Sequence, residues 1–268
     1  MNCLLVLFVS LLVLSNAKLI MPWMGLERTH EDIKGDLEQI RRLRYILSDV
    51  SFEEYDLDWN AHIIRNDFYP VNDIIADLKL GRQPMITTVN IAKLTQLFES
   101  TESMDQFINE AVQLALKFNY TGFNIDFEPS GREAFPLAPG LVQFVDRFAK
   151  ALHRHNKILS LDLAQWTQFF NYEELAKTSV DFFAEMSTYA GNFESFKKAF
   201  HKSLDIFGDR LCVGLMHINP NTGKPYSDEE IKARFDYIMQ FDEPMGICIW
   251  MMPVPENWIP HLAKWRQL

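Results

Sequence analysis

Short apolar runs alternate with longer amphipathic stretches from residue 19 to the C-terminus. Residues 19–23 read as a strand, and 31–44 as a helix with Ile33, Leu37, Ile40 and Leu43 on one face. Further strands are predicted over 45–50, 85–90, 122–128, 158–164, 182–186, 211–218 and 246–251. Helical spacing recurs over 71–80, 105–118, 141–155, 172–177, 193–207, 228–241 and 258–265. Gly208 stops the helix over 193–207, and Ser227 with Glu230 forms a capping box ahead of 228–241. Strands separated by helices imply parallel pairing with right-handed crossovers. Eight such units in about 250 residues predict a closed α/β architecture, a single (β/α)8 TIM barrel with no large insertion domain.

Residues 1–17 stand apart. Positions 3–14 are almost wholly apolar, and Ser15-Asn16-Ala17 puts small residues at −3 and −1 of a cleavage point. This predicts a signal peptide ending at Ala17, a barrel over 18–268, and a secreted protein, with the lysosomal lumen as the alternative destination. The run is short for a membrane anchor, and no later stretch is long and apolar enough to span a bilayer. The formal net charge of −10 lies entirely in 18–268, since 1–17 holds no Asp, Glu, Lys or Arg. Such acidity argues against nucleic acid or an anionic membrane as partner and leaves a neutral glycan acceptable.

In a secreted chain Asn119-Tyr120-Thr121 is an N-glycosylation sequon. Cys212 and Cys248 fall in strand-like runs. Bridging neighbouring strands is geometrically restrictive, so two buried thiols are expected rather than a disulfide. Their spacing makes no zinc site, and His153-Arg154-His155 projects its imidazoles to different sides of a helix end. No metal and no cofactor are expected.

The candidate chemistry lies in Gly122-Phe123-Asn124-Ile125-Asp126-Phe127-Glu128. Strand side chains alternate faces, so Phe123, Ile125 and Phe127 point to the helices, and Asn124, Asp126 and Glu128 into the barrel. Neighbouring buried carboxyls cannot both ionise cheaply, and one is kept protonated, as a general acid requires. A polar ladder that merely orders the core is the alternative, disfavoured because barrel cores prefer Val, Ile and Leu.

This segment resembles the D-x-x-D-x-D-x-E signature of family-18 glycoside hydrolases, the chitinases and their relatives. The resemblance implies that Glu128 protonates the glycosidic oxygen. Asp126 would orient the substrate's N-acetamido group, whose carbonyl oxygen is the nucleophile, an exception to the two-carboxylate scheme. It departs at two positions. Asn124 replaces the second Asp, as in chitobiase-like and spore-cortex-hydrolase-like members, and retains the capacity to hydrogen-bond Asp126. Thr121 replaces the first, at the start of the strand.

Weaker echoes cover most of 18–268. Gly246-Ile247-Cys248-Ile249-Trp250 is similar to the family's last strand, which makes Trp250 a floor for bound N-acetylglucosamine, or else a core residue. Met186-Ser187-Thr188-Tyr189 is similar to the Met-x-Tyr strand end with one residue added. This leaves Tyr189 either supporting the acetamido oxygen or packed in a loop, with Met186 beside the substrate. Gln165 and Trp166 line the cleft or lie on the surface, and Asp49, Asp56 and Asp58 read as solvated. The resemblance implies retaining, cofactor-free hydrolysis of β-linked N-acetylglucosamine-containing glycans. Many large chitinases carry an extra domain between strands seven and eight. Only about two dozen residues separate Ile218 from Gly246 here, which predicts a shallower cleft. Relatives without the Glu bind chitin as lectins, and Glu128 with Asp126 favours hydrolysis over that alternative.

Overall fold

The computed structural model describes residues 18–268, so the expected signal peptide lies outside the described residues. The barrel strands are β1 (Leu19–Met24), β2 (Asp49–Leu57), β3 (Gly81–Thr88), β4 (Gly122–Phe127), β5 (Ile158–Leu163), β6 (Phe182–Glu185), β7 (Leu211–Met216) and β8 (Gly246–Trp250). Each pairs in parallel with the next. Closure comes from β1, which pairs with β8 through Leu19↔Gly246 and with β2 through Trp23↔Ser51. The result is the TIM barrel expected from the alternation, with no extra domain among the described residues. Between β7 and β8 lie only a hairpin of Ile218–Asn219 with Lys224–Pro225 and one helix.

The helices are α1 (His30–Leu43), α2 (Asn72–Asp77), α3 (Ile91–Phe98), α4 (Thr101–Phe118), α5 (Ala138–His153), α6 (Tyr172–Leu175), α7 (Phe193–Phe207), α8 (Asp228–Ile238) and α9 (Ile259–Arg266). Side-chain caps set several of their starts, including the capping box of Ser227 and Glu230 on α8. Most apolar side chains fill the layer between sheet and helices. A smaller set fills the barrel interior: Met21, Trp23, Met85, Phe182, Ala184, Cys212 and Cys248.

Three expectations are corrected. The second strand runs over Asp49–Leu57, not 45–50. Its acidic run resembles a loop by propensity, but Ser51 and Glu53 face the barrel and a bulge between Glu53 and Tyr55 turns Tyr55 outward. Asp49 and Asp56 therefore belong to the strand: Asp49 accepts from Gln83, and Asp56 pairs with Lys93. The third correction concerns the cysteines, which form a disulfide. Cys212 is in register with Gly246, and Cys248 with Gly214. Both sulfurs thus enter the barrel from adjacent strands, with Cα atoms 6.1 Å apart, inside the range a bridge spans.

Candidate active site

The outer face of β4 anchors the strand. Phe123, Ile125 and Phe127 are fully buried, Phe127 stacking on Phe144 and Phe123 meeting Phe148, both of α5. Alternation then sends Asn124, Asp126 and Glu128 inward.

Asn124 is buried at the barrel centre. Its Oδ1 accepts from Trp23 Nε1 at 3.0 Å and Ser51 Oγ at 2.9 Å. Its Nδ2 donates to Ser160 Oγ at 3.0 Å and Asp162 Oδ1 at 2.8 Å. Ser160 donates on to Gln83, and Gln83 to Asp49. The indole N–H can only donate, so it fixes which way the amide points. With both ends occupied, Asn124 does not make the hydrogen bond to Asp126 that its sequence position offered.

Asp126 and Glu128 instead hydrogen-bond each other. Burial drives the Asp126 carboxyl well above its ordinary range, and the Glu128 and Glu53 carboxylates push it further. Burial also raises Glu128. Two carboxyls in such contact hold one proton between them over a wide pH range. Asp126 Oδ1 is buried with no hydrogen-bond partner. Glu128 reaches a cleft of about 400 Å³ that Pro129, Gly131, Arg132, Phe135, Trp166 and Phe170 also line. Trp166 is 61% exposed there, a flat apolar face beside the acid.

The added residue before Tyr189 is absorbed by a 3-10 turn over Met186–Tyr189. Thr188 Oγ1 pins that turn, lying 2.6 Å from Glu185 O and 2.7 Å from Gly214 O. The Tyr189 ring turns into the barrel, where burial and the nearby Asp162, Asp126 and Glu128 carboxyls raise its phenol well above the usual value. Trp250 packs edge-on against Trp23, ring centroids 6.2 Å apart, in the same interior group. Two residues lie apart from this group. Gln165 donates to Ala199 O and Ser203 Oγ of α7, and Met186 packs in the apolar layer outside the barrel. Asn119 is exposed at the opposite, N-terminal end of β4. It caps α4 in the left-handed region, and its Oδ1 accepts from Lys157. Thr121 Oγ1 accepts from the Arg82 backbone.

Sequence reasoning passed over Asp162, Glu53 and Trp23. Asp162 was visible in principle, because Ser160 and Asp162 repeat on β5 the inward polar alternation of β4. Glu53, whose Oε2 accepts from Leu26 N at 3.0 Å, was hidden by the misplaced second strand.

The described residues thus form a TIM barrel whose fourth strand ends at the C-terminal mouth in a carboxyl pair, its Glu128 facing an aromatic-lined cleft. No family model matches the chain, and no curated protein sequence matches it. Solved structures do. A class V chitinase from Pseudomonas fluorescens Pf-5 superposes with a TM-score of 0.77 at 14% identity, over 92% of this chain and 98% of that one. A chitinase from Chromobacterium violaceum ATCC 12472 gives 0.76 at 10%, over 94% and 99%. The GH18 chitinase ChiB of Flavobacterium johnsoniae gives 0.71 at 14%, over 93% and 94%. At this identity the likeness is one of fold: the chain has the barrel of the family-18 chitinases.

Proposed function

We propose that the protein hydrolyses β-linked N-acetylglucosamine-containing glycans with retention, using Glu128 as proton donor and the substrate's own acetamide as nucleophile. One observation carries this reading: a buried, unpartnered Asp126 Oδ1 beside a proton-sharing acid that opens on a cleft. Asp126 is not among the residues lining the cleft, so in this reading its carboxyl turns toward Glu128 and the cleft to accept the acetamido N–H, which satisfies the bare oxygen. In the first step Glu128 gives its proton to the glycosidic oxygen as the C1–O bond breaks. The acetamide oxygen bonds to C1, and Asp126 holds the N–H as positive charge develops on the ring formed. Water then attacks C1 as the bond from C1 to the acetamide oxygen breaks, and returns a proton to Glu128, leaving the β-configuration intact. In this reading Tyr189, on the same inner face, donates to the acetamido oxygen, and Trp250 supports the sugar ring. In this reading the compartment is the secretory pathway, which the bridged cysteines and the apolar run expected to be a signal peptide favour, and Asn119, exposed within its sequon, would accept a glycan there.

The test is turnover of fluorogenic N-acetylglucosamine oligosaccharides by the wild type and Glu128→Gln. Loss of a general acid lowers kcat by roughly 10²–10⁴-fold. Binding without turnover in both proteins would make the barrel a glycan-binding lectin, and equal turnover would remove Glu128 from the mechanism.

A further inference from the structure

Glu128 stands between two spaces. Tyr189 and Trp250, which hold the N-acetylated sugar in the hydrolase reading, belong to the barrel interior and do not line the cleft. The cleft is walled instead by the segment after β4, with Gly131, Arg132 and Phe135, and by the loop after β5, with Trp166 and Phe170. The N-acetylated sugar therefore lies over the barrel axis. The sugar on the far side of the bond, which departs when Glu128 gives up its proton, lies in the cleft. There the exposed Trp166 offers it a flat apolar face.

Arg132 gives that space its charge. Gly131, at φ 86°, turns the chain and sets Arg132 at the start of a 3-10 helix over Arg132–Leu137. The guanidinium makes no hydrogen bond, ion pair or ring contact with any described residue. Glu128 bonds to Asp126 instead, and Glu133, next along the chain, lays its carboxylate over Gly131. By contrast Arg28, Arg42, Arg65 and Arg147 each pair with an acid. A chain of net charge −10 offers many such partners, so an arginine left open in the cleft is available to an anion brought by the ligand. Among the described residues lining the cleft it is the one base, and Glu128 is neutral when it acts as an acid. Past Thr167 and Phe170 the wall continues into a hollow of about 510 Å³, where Lys202 and Glu173 both stand. The excess of positive charge is thus confined to the place of the departing sugar.

We propose that Arg132 determines specificity by binding a carboxylate on the departing sugar, so that the preferred substrate is an acidic rather than a neutral N-acetylglucosamine-containing glycan. A planar guanidinium meets a carboxylate with two parallel N–H bonds, a geometry that an uncharged hydroxyl does not match. The assignment of this carboxylate to the departing sugar rests on the hydrolase reading; the affinity of Arg132 for it does not.

Tetrasaccharides that differ only at the third sugar from the non-reducing end provide the probe: N-acetylglucosamine, its C6 carboxylate, or its 3-O-carboxyalkyl ether. Mass spectrometry of the products gives kcat/KM for the bond before that sugar. The wild type cleaves at least one acidic chain about tenfold faster than the neutral one, as one charge-assisted hydrogen bond supplies. Arg132→Gln brings the ratio to about one, Arg132→Lys keeps part of it, and about 0.5 M salt narrows it in the wild type. An arginine with a merely structural role would move none of these ratios. Calorimetric binding to Glu128→Gln needs no turnover: the acidic chain binds about tenfold tighter, and adding Arg132→Gln removes the difference. A neutral chain cut and bound as well as both acidic chains, or better, overturns the proposal and leaves the hydrolase reading intact. So does an acidic preference that survives Arg132→Gln. An acidic preference in binding that is lost with Arg132→Gln, in a protein that cleaves none of the chains, keeps Arg132 as the carboxylate site and removes the hydrolase reading instead.

Discussion

Gly214 tests how tightly the fold and the candidate site are joined. It lies on β7 under the turn that carries Tyr189. A Cβ there would sit well inside van der Waals contact of Glu185 O and 3.0 Å from Tyr189 Cε1. Glu185 O is backbone of β6 and is held by the Thr188 hydroxyl, so it cannot retreat without moving the turn. Overpacking of this kind costs about 1–3 kcal/mol. At about 2–4 °C per kcal/mol for a chain this long, Gly214→Ala lowers the thermal midpoint by about 2–12 °C. The Tyr189 ring is the other movable partner, and a shift of about 1 Å in a group facing the reaction centre costs about 10²-fold in rate. Circular-dichroism melting and kcat on an oligosaccharide read the two effects. Gly35 supplies the control: it lies inside α1 with nothing within 4 Å of its added Cβ. Gly35→Ala therefore stabilises by about 0.5–1 kcal/mol and leaves kcat unchanged. If Gly214→Ala melts and turns over like the wild type, the close packing of β6, β7 and Tyr189 described above is wrong.

Two other expectations concern stability. Breaking the Cys212–Cys248 bridge with a double Ala variant frees a loop of sequence separation 36 and costs about 4 kcal/mol in denaturant unfolding; two reactive thiols at these positions in unreduced, denatured protein would contradict the bridge. Asp126 is raised in the folded state, so the folded form holds a proton that the unfolded chain releases near its ordinary value. Its stabilising contribution is complete below about pH 4 and is lost as pH rises through the raised value. The thermal midpoint of Asp126→Asn relative to wild type should thus climb from pH 4 to pH 8, and a difference constant with pH would refute the assignment.

Much of this was legible in the chain because the barrel repeats two simple periods. Alternation on β4 identified the inward face, since three buried aromatic or branched side chains on one side leave only one place for Asn124, Asp126 and Glu128. The same period was present on β5, but Asp162 sits among Leu161, Leu163 and Ala164, and a lone acid in an apolar run gives little signal until its partner Asn124 is placed beside it. The second strand was misplaced because Glu53, Glu54 and Asp56 are poor strand formers by propensity; their partners lie outside the run, Arg65 for Glu54, Lys93 for Asp56 and the Leu26 backbone N–H for Glu53. The disulfide depended on register: which residues of β7 and β8 lie opposite each other is set by barrel closure, and spacing along the chain does not reveal it. Tyr189 was ambiguous for a similar reason, because one added residue either throws a side chain to the other face or is wound into a turn. Here the Thr188 hydroxyl, bridging two strands, selects the turn.

Proton NMR of the first product formed from an N-acetylglucosamine oligosaccharide tests the central claim most directly. Attack by the substrate's own acetamide, with Asp126 holding its N–H and Glu128 giving the proton, releases the β-anomer before mutarotation, and a chain lacking the N-acetyl group at the cleaved sugar is not cut. Release of the α-anomer, or equal cleavage of the de-N-acetylated chain, would contradict it.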